Sequence, residues 1–173
     1  MDIKEAMLAY FSKLEDLYQR TFGTLPTTPW DSDTNPELFI GTPDEDDEIQ
    51  WRPIDAIPMQ NPKLCRELCD FYSSYYYCQL RGEYEEILFD FPAVCSFTDS
   101  SKIADSAIVD GEYYFPGQNT VLIATCTLHG NDDILLFYKQ NTGDMILYDI
   151  DKKTILPFEH SLVELITSMK AVI

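Results

Sequence analysis

Positive charge is what this chain has least of. Lysine and arginine number 12 against 30 aspartates and glutamates over 173 residues, a formal net charge of −18. Such a chain repels the phosphates of DNA and RNA, so nucleic-acid binding is not expected. It repels anionic lipid head groups as well. Histidine is nearly missing: His129 and His160 are the two in the chain, so general-base chemistry has few candidates. His129 falls at the edge of a predicted turn, and His160 lies beside a predicted helix cap. There is no Gly-rich phosphate loop, no Gly-x-Ser-x-Gly elbow and no His-Glu-x-x-His helix. Carboxylate pairs arise by accident among 30 acids, so they carry no argument for hydrolysis. The expectation is a protein that is not an enzyme and takes no cofactor.

Long apolar runs are missing too. No stretch approaches roughly 18 consecutive apolar residues, so no integral membrane segment is expected. The opening Met-Asp-Ile-Lys-Glu has no basic segment followed by an apolar run, so no secretory leader is expected and the location reads as cytoplasmic. The cysteines Cys65, Cys69, Cys78, Cys95 and Cys126 are odd in number and sit in apolar surroundings, which fits reduced, buried thiols. Cys65 and Cys69, four apart, would share a helix face, but no histidine lies near them along the chain, and no metal site is expected.

What the chain does have is a core. Hydrophobic residues make up 45% of it, enough for one domain spanning 1–173, which at this size buries roughly 70% of its unfolded surface. Residues 2–21 carry Ile3, Met7, Tyr10, Leu14 and Leu17 at helical spacing, with Asp2 placed to cap and Gly23 to stop. Residues 24–47 read as a Pro-rich loop, with a short strand at Leu38-Phe39-Ile40, and 49–54 as another short strand ended by Pro53. Residues 61–80 read as a second helix, capped by Asn61 and ended by Gly82. Ile87–Phe91 reads as a strand, and 92–117 shows no element. From 119 to 157 the pattern is a strand meander, with turns at Gly130–Asp133 and Asn141–Asp144. A last helix follows over 161–171, with Ser161 and Glu164 as a capping box. The predicted class is α+β, helices against one face of an antiparallel sheet.

The candidate contact residues are acidic and aromatic. Asp44, Glu45, Asp46, Asp47 and Glu48 form an unbroken acidic run that self-repulsion keeps solvated. The run lacks the alternation and central glycine of a calcium loop. Glu83, Glu85 and Glu86 form a second acidic group. Tyr75, Tyr76 and Tyr77 cannot all face inward from a helix, so at least one is expected at the surface, where tyrosine suits an interface. Trp51 completes the set, although its place between Ile49 and Ile54 also suits a core residue. Acid of this density attracts a basic protein partner and speeds the encounter; the same charge also serves plain solubility.

The residue order resembles a known family. The first helix, the Pro-rich loop, Leu38-Phe39-Ile40, the acidic run and Gln50-Trp51-Arg52-Pro53 look like the N-terminal half of the Syd family of SecY-interacting proteins, part of the SUKH superfamily. Phe71-Tyr72-Ser73-Ser74, Gly82 and Thr120-Val121-Leu122-Ile123-Ala124-Thr125 resemble further Syd features. Phe115-Pro116-Gly117, Asn141-Thr142-Gly143-Asp144 and the strand running to Leu162 resemble the superfamily more widely. Residues 98–117 lack the Asn-Leu-Ile-Gly-His-Leu-like stretch of Syd proteins. The resemblance implies a stoichiometric binder: an immunity protein that blocks a basic, nuclease-type toxin domain in bacterial competition, or in the alternative a protein that binds the cytoplasmic loops of the SecY translocon. The missing stretch favours the immunity role.

Overall fold

The structure, a computed structural model, describes residues 1–173. Helix α1 (Ile3–Phe22) starts at Asp2, whose carboxylate accepts the Glu5 N–H at 2.8 Å while the Glu5 carboxylate accepts the Asp2 N–H at 2.8 Å. It stops at Gly23, where the backbone turns left-handed at φ 69°. Both ends are where the sequence puts them, because caps are local devices.

The Pro-rich segment folds into a small sheet. Strands β1 (Thr27–Pro29), β2 (Phe39–Ile40) and β3 (Glu48–Trp51) run in the order β1-β3-β2. Next, β4 (Ile54–Asp55) pairs antiparallel with β5 (Tyr75–Tyr76), across helix α2 (Arg66–Ser73). The helix expected over 61–80 is therefore only eight residues long. Asn61 caps a turn rather than the helix: its side chain accepts the Lys63 N–H and its carbonyl the Leu64 N–H. At the other end the chain leaves the helix at Ser74, and three consecutive tyrosines take an extended path, which aromatic residues favour.

The main sheet has seven antiparallel strands: β6 (Leu80–Tyr84), β7 (Ile87–Phe91), β8 (Thr120–Leu128), β9 (Asn131–Lys139), β10 (Met145–Asp149), β11 (Thr154–Leu156) and β12 (Lys170–Ala171). Their spatial order is β11-β10-β9-β8-β7-β6-β12. The meander from β8 to β11 is as expected, except that the β8–β9 turn is His129–Gly130 and Asn131 already belongs to β9. Helix α4 (Leu162–Ser168) starts at Ser161, which accepts the Glu164 N–H. It ends earlier than expected, and the chain then adds β12 to the sheet edge. Gly82 does not end a helix: it lies inside β6, where a Cβ would come within 2.8 Å of the Lys170 carbonyl oxygen of the neighbouring β12.

The largest departure from the sequence reading is α3 (Phe97–Tyr114). Its N-cap is Ser96, which accepts the Asp99 N–H. Its buried positions are Ser100, Ala104, Ala107 and Gly111, a stripe of small residues that carries little hydrophobic signal. Small side chains are required here because the helix lies nearly backbone to backbone on β8. A Cβ on Gly111 would stand 1.9 Å from the Thr120 carbonyl oxygen. Thr120 Oγ1 in turn donates to the Gly111 carbonyl at 3.0 Å, and Ser100 Oγ donates to the Tyr72 carbonyl at 2.6 Å.

Alternation along β9 gives the sheet two apolar faces. Ile134, Leu136 and Tyr138 join the main core with α1, α2 and α4, while Leu135 and Phe137 join a smaller cluster with Phe115 and Ile146. Helix α3 serves both, with Ala104 and Ala107 in the first and Tyr114 packed against the second. No helix is long and apolar enough to cross a membrane.

The contact on β8 predicts unequal costs for two glycine replacements. Gly111→Ala should lose about 3 kcal/mol or more by overpacking against backbone that cannot yield. Gly117→Ala, at φ 72° with open space around it, should lose only about 1 kcal/mol. Urea denaturation followed by circular dichroism separates the two.

Candidate functional site

Four of the candidate contact residues are core residues. Trp51 is 1% exposed and meets Phe11 edge-on at 6.3 Å. Register explains this: Trp51 pairs with Phe39, and the alternation along β3 buries Ile49 and Trp51 together. Tyr75, Tyr76 and Tyr77 are all buried as well. Tyr75 and Tyr77 pack on Phe11, the Tyr76 hydroxyl accepts the Ile57 N–H, and the Tyr77 hydroxyl donates to the Pro92 carbonyl. A helix would have exposed one of the three. In a strand, Tyr75 and Tyr77 reach Phe11 of α1 while the Tyr76 hydroxyl reaches the Ile57 backbone, so Trp51 and these tyrosines hold the fold rather than offer a surface.

Asp44 to Asp47 of the acidic run are exposed and Glu48, the first residue of β3, is half-buried, so the run is not loose. Asp44 Oδ1 accepts the Asp46 and Glu48 N–H groups, each at 2.9 Å, and the Asp44 N–H donates to the Glu48 carbonyl. Asp47 closes the turn at φ 58°. The Asp44 carboxylate is thus spent on the backbone, while Glu45, Asp46 and Asp47 stand free in solvent. The Trp30 N–H donates to the Asp47 carbonyl at 2.7 Å, which sets a tryptophan that is 45% exposed beside the acidic hairpin. The sequence reading passed over Trp30. Its signal was a large aromatic between Pro29 and Asp31, in a segment too polar to bury it.

The second acidic group lies on a different sheet, at the end of the main one. Glu83 is exposed on β6, and Glu85 and Glu86 form the β6–β7 turn. Both turn residues are left-handed, at φ 49° and 66°, the primed-turn geometry that suits a tight hairpin. The β8–β9 turn lies alongside, and His129 Nε2 is 3.9 Å from Glu86. His160 reaches the same place: Nε2 is 3.2 Å from Glu85 and Nδ1 is 3.1 Å from Glu164, with its ring edge-on to Tyr84 and Phe158. Desolvation lowers the His160 pKa, but the hydrogen bonds and charges of Glu164 and Glu85 outweigh it, and the net shift is upward.

A third feature was not foreseen. A cleft of about 620 Å³ opens between α3 and strands β6–β8, within the range of small-molecule pockets. Phe91, Ile103 and Leu122 line it, and its charged residues are Arg81, Lys102, Asp90 and Asp110. Arg81 Nε is 3.9 Å from Asp90. Opposite charges therefore balance here on a chain that is otherwise acidic. The lining comes from positions 78 to 125, too far apart for a motif to announce it.

No group of three or more His, Cys, Asp or Glu side chains is gathered as a metal site. No protein-family model matches the chain, and no curated protein matches it.

Two expectations follow from this geometry. Trp51→Ala should cost about 3–5 kcal/mol in urea denaturation, and Trp30→Ala less than about 0.5 kcal/mol. His160 stabilises the fold when protonated. That contribution is complete below its unfolded pKa near 6.5 and declines as pH rises through its raised folded value. Melting curves from about pH 5.5 to 8.5 should therefore show wild type ahead of His160→Gln at the acid end, with the gap closing toward the alkaline end.

Proposed function

We propose that this chain is a stoichiometric binder of a basic protein surface, an immunity protein of the SUKH type that blocks a toxin domain by docking its acidic hairpin and Trp30 against it. One observation carries the reading: the acid is left uncompensated. Four ion pairs join a carboxylate to a lysine or arginine side chain, Lys4–Asp55, Arg52–Glu15, Arg66–Asp70 and Arg81–Asp90, among 30 acidic residues. None of the four involves residues 44–48, so the field of the hairpin points outward. A field of that kind raises association rates, by 10-fold to about 1000-fold for an oppositely charged partner. An exposed tryptophan beside it supplies what charge does not, a large desolvated anchor that slows release.

On this reading the α+β fold is a SUKH-type domain, and the chain turns over no substrate. The acids at the sheet end, Glu83, Glu85 and Glu86, add to the long-range field. They stand apart from the hairpin and are partly answered by His129 and His160.

Co-expression tests the proposal. A gene beside this one should encode an exported protein with a toxic C-terminal domain, and that domain should kill cells only when this chain is absent. Replacing Glu45, Asp46 and Asp47 together by lysine should slow association with the purified domain by about tenfold or more at low salt, and little at high salt. Trp30→Ala should act on dissociation instead, speeding it by roughly tenfold or more. If no such neighbour exists, and the chain instead sediments with SecY-containing membranes and is released by salt, the translocon reading replaces this one.

A further inference from the structure

We propose that Cys78 and Cys95 are a modification site, a dithiol that hydrogen peroxide converts reversibly to a disulfide. The backbone brings them together. Tyr77 and Val94 form an isolated antiparallel bridge, with the Tyr77 N–H donating to the Val94 carbonyl at 2.7 Å. Both bridge side chains are fully buried. Alternation turns the next residue on each strand, Cys78 and Cys95, to the other face of the bridge. There they lie on a diagonal across the bridge, with Cys95 Sγ 3.6 Å from the Tyr77 carbonyl oxygen, against the peptide that leads into Cys78. Both are half-buried rather than sealed, and Cys78 lines the cleft, which gives a small oxidant a way in. The interaction between the two thiols pushes that of Cys78 up and that of Cys95 down, and Cys95 is assigned as the thiol that reacts first.

The remaining cysteines lack this arrangement. Cys126 is buried, and burial pushes its thiol up. Cys69 Sγ points at the carbonyls of Asn61 and Leu64, at 3.8 and 3.9 Å.

The chemistry balances in two steps. The Cys95 thiolate attacks one peroxide oxygen; the O–O bond breaks, Cys95 becomes a sulfenic acid, and hydroxide leaves to take up the proton that Cys95 gave. Cys78 sulfur then attacks Cys95 sulfur. The S–S bond forms, the S–O bond breaks, and the Cys78 proton departs with the oxygen as water. In sum, two thiols lose two electrons and two protons, and one peroxide becomes two waters. The product ties the link between β5 and β6, which lines the cleft, to the residue before the α3 N-cap.

The experiment treats the full chain with a small excess of hydrogen peroxide and counts thiols after unfolding. The count should fall from five to three, and peptide mass mapping should find a Cys78–Cys95 link that dithiothreitol removes. The melting temperature of the oxidised form should rise by about 5–10 °C. Cys78→Ser should stop at a sulfenic acid on Cys95 that dimedone traps, and Cys95→Ser should leave Cys78 unreacted at the same dose. A bond between any other pair, a sulfenic acid that persists in wild type, or no loss of thiol at this dose would overturn the proposal. The wild-type mapping decides the matter even if a serine variant fails to fold.

Discussion

Phe11 joins the parts of this fold. Its ring meets Trp51 at 6.3 Å, Tyr75 at 5.7 Å and Tyr77 at 5.4 Å. Those three belong to the small sheet, to β5 and to the bridge that follows it. One turn of α1 away in neither direction, but next in the chain, Tyr10 fastens the same helix to the main sheet: its hydroxyl donates to the Arg81 carbonyl at 2.7 Å and accepts the Arg81 N–H at 2.9 Å. Burial pushes the Tyr10 pKa up to about 12, so this link keeps its proton across the physiological range. Edge-on aromatic packing carries direction as well as buried area. Two adjacent residues of α1 thus set where the small sheet lies relative to the large one.

Charge is arranged around that core. The carboxylates lie in turns, caps and the solvent-facing positions of helices and strands. Asp149 is the buried exception, and it is answered by the Asn131 amide and the Lys152 N–H. A net charge of −18 repels itself in the folded state, and placing acids in turns keeps them apart in high dielectric. The hairpin at 44–48 shows how a turn accommodates them: one carboxylate is used up on backbone N–H groups, which leaves the next three exposed on a defined scaffold.

Of the candidate surface, the acidic half was legible and the aromatic half was not. A run of five acids resists burial whatever the fold does, and its first four members stand exposed. Trp51 and Tyr75–Tyr77 could go either way, because an aromatic residue is buried or exposed according to what covers it. What covers Trp51, Tyr75 and Tyr77 is α1, from more than thirty positions away for each. Trp30, which does stand in solvent, sits in a segment that reads as loop, and loops give no period from which to infer a face.

By itself the sequence determined α1 with its two ends, β7, the β8–β11 meander, the start of α4 and the exposure of the acidic run. Each follows from periodicity, capping or turn chemistry within a few residues. Only the tertiary structure decided the rest. It turned Tyr75–Tyr77 from helix to strand, and it made a helix of residues 97–114, whose buried stripe is small because β8 lies against it. It placed Gly82 and Gly111 where a neighbouring backbone leaves no room for a Cβ. It also brought both histidines to one end of the sheet and Cys78 beside Cys95. The reason is the same in each case: these outcomes depend on contacts between residues far apart in the chain, and a local pattern holds no record of its distant neighbour.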